Sequence, residues 1–345
     1  MASSMPTATA ALATAPLLSI TGLQVWFRVY GGLLKVLDGV DFTVGPGEKV
    51  GLVGETGCGK TTTMKTVLRI LPRQAVVPAG KVVFRGRDVL RMRGNELHAL
   101  RGQGVSMIFQ DPTAALNPVF TIGQQIEDCI RYSGFLGKEG ARARERAIAA
   151  LREAALPDPE RILHNYPFQL SGGMRQRACI AMALATARDL LIADEPTTNL
   201  DVTIQDQVLR LIRTLVEEKG TSLILITHSL GVAREMTDRV YVMYAGSMVE
   251  VAPTEELFED PRHPYTLGLL SSIPKLTGEG VAAGIPGRIP NYLSPPPGCR
   301  FHPRCPKAQV RCREERPPFF TVGDGHQVAC FLYSGQAASG GDEVA

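Results

Sequence analysis

In the nine residues Gly54-Glu55-Thr56-Gly57-Cys58-Gly59-Lys60-Thr61-Thr62, the first eight satisfy the pattern G-x-x-x-x-G-K-[ST]. Glycines at 54, 57 and 59 let the backbone curl until successive N–H groups face one point, where phosphate oxygens would sit. An apolar run before the loop (KVGLVG, 49–54) and a helical run after it (TTTMKTVLRIL, 61–71) place the curl at a helix N-terminus, whose partial positive charge favours an anion. Lys60 would then reach the β- and γ-phosphates of a nucleotide, and the Thr61 hydroxyl would bind Mg²⁺. Glu55, Thr56, Cys58 and Thr62 complete the loop, with Cys58 read as a small side chain filling the turn and not as a redox group.

A second stretch, LLIADEP (190–196), is an apolar strand that ends in two carboxylates. Asp194 is placed to hold Mg²⁺ through its water shell, and Glu195 to polarise a water attacking the γ-phosphate. An apolar run followed by Asp-Glu is common, but behind a phosphate loop it points to nucleotide hydrolysis. A third stretch, LSGGMRQR (170–177), offers the Ser171 hydroxyl and the backbone N–H groups of Gly172 and Gly173 at the start of a helix, a second phosphate site on the same chain. One γ-phosphate cannot use both sites in one monomer if they lie on different subdomains. Each is therefore expected to face the nucleotide of a second subunit.

The elements that must position these groups are legible from residue 17 to about 253 as short apolar runs alternating with helical patterns, the signature of an α/β fold with a largely parallel sheet. Strands are expected at 49–54, 105–110, 190–195, 222–228 and 240–246. Between 111 and 188 the pattern turns helical, as in KEGARARERAIAALREAAL (138–156), and reads as an inserted helical subdomain. From 254 to 334 one short amphipathic helix is expected, followed by Gly- and Pro-rich chain such as IPGRIPNYLSPPPG (285–298) without regular structure. Residues 1–16 and 335–345 read as flexible tails.

The 345-residue chain carries a formal net charge of +3, too near balance to predict binding to nucleic acid or a membrane surface from charge alone. It has no stretch of about eighteen apolar residues, and its first residues lack the basic start of a signal peptide. Seven cysteines, three of them isolated (Cys58, Cys129 and Cys179), suit a reducing compartment better than a disulfide framework.

With these motifs in order, residues 17–253 resemble the ATP-binding cassette (ABC) family: a P-loop NTPase (RecA-like) nucleotide-binding domain with an inserted helical subdomain, here followed by a small Pro/Cys-rich C-terminal domain. The resemblance implies roles for further residues. Gln110 links the Mg²⁺ site to the helical subdomain and joins Thr61 and Asp194 around the ion; Glu195 is the catalytic base; His228 addresses the γ-phosphate. Ser171, Gly172, Gly173 and, from TNLD (198–201), Asp201 meet ATP held by the opposing subunit. Either Phe27 or Tyr30 stacks on adenine. Asn199 and Ser229 stand where many relatives carry Ala and Asp, and neither does the chemistry.

The interval from 110 to 171 has no sustained heptads, unlike the long coiled coils of ABC-type DNA-repair and chromosome ATPases, so a nucleic-acid partner is not expected. FQDPTAALNPVFTIGQQI (109–126), RHPYT (262–266) and the spaced terminal cysteines resemble the ATPase subunits of dipeptide and oligopeptide importers. That resemblance implies two transmembrane permease subunits, a second ATPase subunit that is a related but different chain, an external solute-binding protein, and a position on the cytoplasmic face of the inner membrane. Nickel and oligosaccharide importers share the pattern, and a soluble ABC ATPase acting without a permease is the other class to weigh.

Cys299, Cys305, Cys312 and Cys330 lack the two-residue spacing of common zinc sites. The resembling C-terminal domains accommodate a 4Fe-4S cluster, which is the expectation for these four thiols; zinc and unliganded cysteines stay open as alternatives. His302, between two of them, reads as a loop residue.

Overall fold

The computed structural model describes residues 15–137, 142–186, 188–198, 200–272 and 284–335. Nearly all of the two expected tails, and Asn199, lie outside these.

The strands are β1 (Leu18–Val29), β2 (Gly32–Val44), β3 (Lys49–Val53), β4 (Ala75–Phe84), β5 (Arg87–Asp88), β6 (Val105–Ile108), β7 (Leu190–Asp194), β8 (Ser222–Thr227), β9 (Arg239–Tyr244), β10 (Ser247–Pro253), β11 (Phe320–Gly323) and β12 (His326–Val328). The helices are α1 (Lys60–Val67), α2 (Gly94–Ala99), α3 (Pro112–Ala115), α4 (Ile122–Tyr132), α5 (Ala143–Glu153), α6 (Pro159–Ile162), α7 (Gly172–Leu184), α8 (Val202–Lys219), α9 (Leu230–Met236), α10 (Thr254–Glu259) and α11 (Pro264–Ser271).

The main sheet has the order β11-β12-β10-β9-β3-β8-β7-β6, and its stretch from β9 to β6 is parallel. Every residue of β7 and β8 is buried, as expected of strands covered on both faces. Ile224 sits at the centre, paired with Val50 on one side and Ile192 on the other. The sheet is covered in part by α8, which buries Val208, Leu209, Ile212, Leu215 and Val216 along one stripe, starts at Asp201 and stops at Gly220 in the left-handed conformation.

Between β6 and β7 the described residues form helices with a core of their own, built from Ile122, Ile126 and Ile130 of α4, Ala147 and Leu151 of α5, and Ala178 of α7. A capping box at Thr121 and Gln124 fixes the start of α4.

Two differences from the sequence reading stand out. A separate antiparallel sheet, β2-β1-β4-β5, carries the N-terminal segment; register shifts in the β1–β2 pairing between Ile20 and Trp26 break the alternation that would have announced it. The expected single helix after residue 254 is two, because Pro261 and Pro264 interrupt it and Pro264 opens α11.

The C-terminal segment is sewn into the main sheet. Glu250 of β10 pairs with Val328 of β12, and Leu257, Tyr265 and Phe301 share one apolar core with Val53 and Tyr244. His326 is fully buried with one ring nitrogen 2.8 Å from Glu250 Oε1 and the other 2.9 Å from Glu256 Oε1. Glu250 also accepts from the backbone N–H groups of Arg262 (2.6 Å) and His263 (3.0 Å).

Candidate active site

The phosphate loop leaves β3 and enters α1 at Gly59, the helix's N-cap, with φ 110°. Gly54 has φ 151°, and a Cβ there would stand 2.2 Å from the Met243 carbonyl oxygen, so only glycine fits between loop and β9. Lys60 is buried and donates to the carbonyls of Gly54 (2.7 Å) and Glu55 (3.1 Å), which aims its ammonium across the mouth of the loop. Thr56 and Gly57 are exposed at the tip, and Thr62 is half-buried on α1. Cys58 is fully buried and burial pushes its thiol pKa up, which suits the packing role read from the sequence.

Thr61 Oγ1 donates to Asp194 Oδ1 at 3.0 Å, joining α1 to the end of β7. Burial pushes the Asp194 carboxyl above its usual range, against the opposing pull of the Thr61 hydroxyl. Two hard oxygen donors at this spacing suit Mg²⁺.

Glu195 follows in the left-handed region, φ 46°, a conformation that costs a non-glycine residue about 1 kcal/mol or more. Its N–H is held by the Ile226 carbonyl at 2.9 Å. Three groups converge on Glu195 Oε2: Gln110 Nε2 at 2.8 Å, Thr198 Oγ1 at 3.1 Å and His228 Nδ1 at 3.4 Å. Gln110 lies just past β6, Glu195 just past β7, His228 just past β8 and the phosphate loop just past β3. The carboxyl ends of four neighbouring parallel strands thus assemble one site.

Ser171 and Asp201 are the N-caps of α7 and α8; Ser171 Oγ accepts from Met174 N at 3.3 Å and Asp201 Oδ1 from Ile204 N at 3.0 Å. These helix starts are neighbours, since a Cβ on Gly173 would be 3.2 Å from Ile204 Cγ2 and one on Gly172 4.0 Å from Leu200 Cδ2. Ser171 and Asp201 are both exposed, a second cluster of N–H groups turned outward. Ser229 caps α9 by accepting from Val232 N at 3.5 Å.

Of the two aromatic candidates, Phe27 packs against the main core, whereas Tyr30 is fully exposed in the turn between β1 and β2. Tyr30 is the ring with a free face.

Sequence reasoning missed three residues that grip the phosphate loop from the C-terminal side. Arg304 holds the Glu55 carboxylate with both terminal nitrogens (2.7 and 3.0 Å), Tyr265 Oη accepts from the Glu55 N–H at 2.9 Å, and Tyr292 Oη donates to the Gly57 carbonyl at 2.9 Å. RHPYT was visible as a distinctive string: His263 caps α11 by accepting from Tyr265 N at 3.0 Å, and Pro264 follows. Burial lowers the His263 pKa to about 4, leaving the neutral imidazole that this acceptor role requires.

Cys299, Cys305, Cys312 and Cys330 all line one small cavity with Phe301 and Phe331, and all four are free thiols. Burial pushes the Cys299 thiol up to about 11 and raises those of Cys305 and Cys330. His302 Nδ1 is turned to the Cys299 carbonyl at 2.9 Å. Among the described residues no group of three or more His, Cys, Asp or Glu side chains is arranged to hold a metal ion, so the four thiols are gathered without forming a ready ligand set.

Comparison with known proteins bears on the whole arrangement. Residues 37–198 match the ABC transporter family, and residues 249–312 match the oligopeptide/dipeptide transporter C-terminal region. The chain is 44% identical over 322 residues to a dipeptide transport ATP-binding protein of Bacillus subtilis, covering 93% of this chain and 96% of the relative. It is also 44% identical over 324 residues to an oligopeptide transport ATP-binding protein of the same organism, covering 93% and 98%. Among solved structures, an ATP-binding cassette captured as a dimer in a post-hydrolysis state with ADP and Pi superimposes with a TM-score of 0.61 at 25% identity, covering 69% of this chain and 98% of that one. No helix among the described residues is long and apolar enough to cross a membrane. The chain belongs to the ABC transporter ATP-binding proteins, on the branch that carries the oligopeptide/dipeptide transporter C-terminal region.

Proposed function

We propose that this chain is the ATP-hydrolysing subunit of a membrane importer for dipeptides or oligopeptides. The convergence of Gln110, Thr198 and His228 on the Glu195 carboxylate, beside the Thr61–Asp194 pair, carries the catalytic part of this reading. In it, Gly54 to Thr62 cradle the phosphates, Lys60 meets their charge, and Thr61, Asp194 and Gln110 hold Mg²⁺, which when bound neutralises charge on the phosphate oxygens. Glu195 accepts a proton from the attacking water, with Gln110 and Thr198 fixing the carboxylate and His228 Nδ1 within reach of it. Tyr30 stacks on adenine.

Ser171, Gly172, Gly173 and Asp201 address the nucleotide of a second, related ATPase chain. Residues 17–253 act as the nucleotide-binding domain, the helices between 111 and 188 as the part that answers to the membrane, and 254–334 as the family's C-terminal region. The exposed apolar residues Val119 and Phe120 support docking to permease subunits at the cytoplasmic face of the inner membrane, since their loop and the loop of exposed Phe168 are joined by the Ile122 N–H and the Asn165 carbonyl at 2.9 Å. An external solute-binding protein would deliver the peptide to those permeases. The names of the relatives and the match of the C-terminal region support the peptide assignment.

The cysteine cavity is read as the seat of a 4Fe-4S cluster held by Cys299, Cys305, Cys312 and Cys330. What supports this reading is that all four thiols line one small cavity, and that iron-sulfur clusters are held by cysteine thiolates.

The test is phosphate release from MgATP by the purified full chain, followed by affinity capture from a detergent-solubilised membrane fraction. Turnover together with capture of two integral membrane proteins is the expected result; turnover without any membrane partner would favour a soluble ABC ATPase instead.

A further inference from the structure

A dense set of contacts between distant parts of the chain joins the loop at residues 54–62 to the C-terminal region. Arg304 is nearly buried, its side chain 5% exposed, and its guanidinium is fully occupied. Nε donates to the Pro286 carbonyl (2.9 Å) and Nη2 to that of Ile285 (3.0 Å), while both terminal nitrogens take the Glu55 carboxylate as a fork. The aromatic rings beside it meet edge to face: Tyr244 lies 4.7 Å from Tyr265 and 5.0 Å from Phe301, centroid to centroid. Tyr265 and Tyr292 then hold the loop's backbone at Glu55 N and Gly57 O.

Glu55 poses an electrostatic problem. It puts a carboxylate inside a loop whose N–H groups are meant to receive a polyphosphate, and in a half-buried setting that like charge is poorly screened. An unpaired carboxylate there would oppose the incoming nucleotide. We propose that Arg304 is a positioning residue for the phosphate loop, neutralising Glu55 and turning it away from the phosphates, so that the C-terminal region, through Arg304, Tyr265 and Tyr292, sets the affinity of the loop for a nucleoside triphosphate.

This rests on the reading of residues 54–62 as an ATP site and extends it by placing part of the control of that site about 250 residues downstream, in the residue directly before Cys305. The geometry separates two contributions. The Arg304–Glu55 fork acts on charge, and the two tyrosine hydroxyls act on loop shape.

The experiment is an equilibrium titration of the full chain with MgATP at low and high salt, with the thermal midpoint of each nucleotide-free protein measured alongside. Arg304→Met is expected to weaken MgATP binding about tenfold at low salt and less at high salt. Adding Glu55→Gln to Arg304→Met should recover most of that loss, because it removes the charge that Arg304 would otherwise answer. Tyr292→Phe, which deletes one hydroxyl at an otherwise unchanged ring, should weaken binding about threefold, and Arg304→Lys should fall between wild type and Arg304→Met.

Should Arg304→Met fail to fold, Arg304→Lys and Tyr292→Phe carry the test. Wild-type affinity in both would overturn the proposal, as would an Arg304→Met/Glu55→Gln chain that binds no better than Arg304→Met. A wild-type chain that binds no MgATP would overturn the ATP-site reading itself.

Discussion

Gln110 Nε2 lies 2.8 Å from Glu195 Oε2, a bond between the ends of two neighbouring parallel strands that leads directly into the helices following β6. Movement of those helices must therefore be felt at the Glu195 carboxylate, the group proposed as the base. Glu195→Gln keeps the shape of the side chain and removes its basicity. The expected outcome is kcat lower by roughly 10²–10⁴ with MgATP affinity preserved. Phosphate release and a binding titration check it; unchanged turnover would remove Glu195 from the base's role.

Asp194 offers a separation of stability from function. Burial raises its carboxyl pKa, so the folded state holds that proton more tightly than the unfolded chain does. For a raised carboxyl the sign is unfavourable: stability is greatest below the ordinary carboxylate range and declines as pH rises through the folded pKa. Asp194→Asn should therefore raise the thermal midpoint of the nucleotide-free protein near pH 7 by roughly 1–3 °C, while Mg²⁺-dependent turnover is lost. Scanning calorimetry and a Mg²⁺ titration of activity read the two effects independently.

The buried pair of His326 and Glu250, with the half-buried Glu256 on the other ring nitrogen, predicts a pH optimum of stability. Burial alone would lower the His326 pKa, but the hydrogen bonds to the two carboxylates outweigh it and the net direction is upward; for Glu250 burial is likewise outweighed, and the net direction is downward. The histidine's contribution is present below its unfolded value of 6.5 and fades as pH rises through the folded value. The glutamate's is present above 4.5 and fades as pH falls through its folded value, so the two overlap most between these limits. Urea denaturation should show falling stability from pH 6 to 9, and His326→Gln should flatten that slope and cost about 3 kcal/mol. A variant with the wild-type slope would assign the pH dependence to another group.

The cysteine cavity predicts a loading reaction that depends on pH. Thiols raised by burial, with Cys299 at about 11, must give up protons to bind iron, so loading should be more complete at pH 8.5 than at pH 6.5. Anaerobic protein supplied with iron and sulfide should absorb broadly near about 400 nm, and Cys305→Ser should reduce that absorbance. Colourless protein holding one equivalent of zinc would overturn the iron assignment.

The parts of the site that were legible in the sequence are those whose geometry is local. Gly54 to Thr61 builds its curl from contacts within a few residues, and Asp194-Glu195 and His228 announce themselves by ending apolar strands. The parallel sheet was legible for the same reason, through continuous apolar runs. Arg304 was not, because its partner Glu55 is 249 positions away and nothing in PRC (303–305) distinguishes it from any surface arginine. RHPYT was conspicuous, yet its purpose, a tyrosine hydroxyl placed under the phosphate loop, depends on the path of α11. Nor is the difference in setting between Phe27 and Tyr30 visible in the string, since it is the path of β1 that puts one ring on the core and the other in water.

The join between β10 and β12 has a consequence for self-association. Without the β11–β12 hairpin, β10 would present seven residues of open backbone, with the buried Glu250 carboxylate stripped of its imidazole partner. A long, apolar open edge invites another chain to pair with it. As built, the sheet ends in four-residue strands on both sides, β11 at one margin and β6 at the other. The C-terminal segment thus also serves as a cover against strand-to-strand aggregation, and a chain truncated before Phe320 should precipitate even if its nucleotide site is intact.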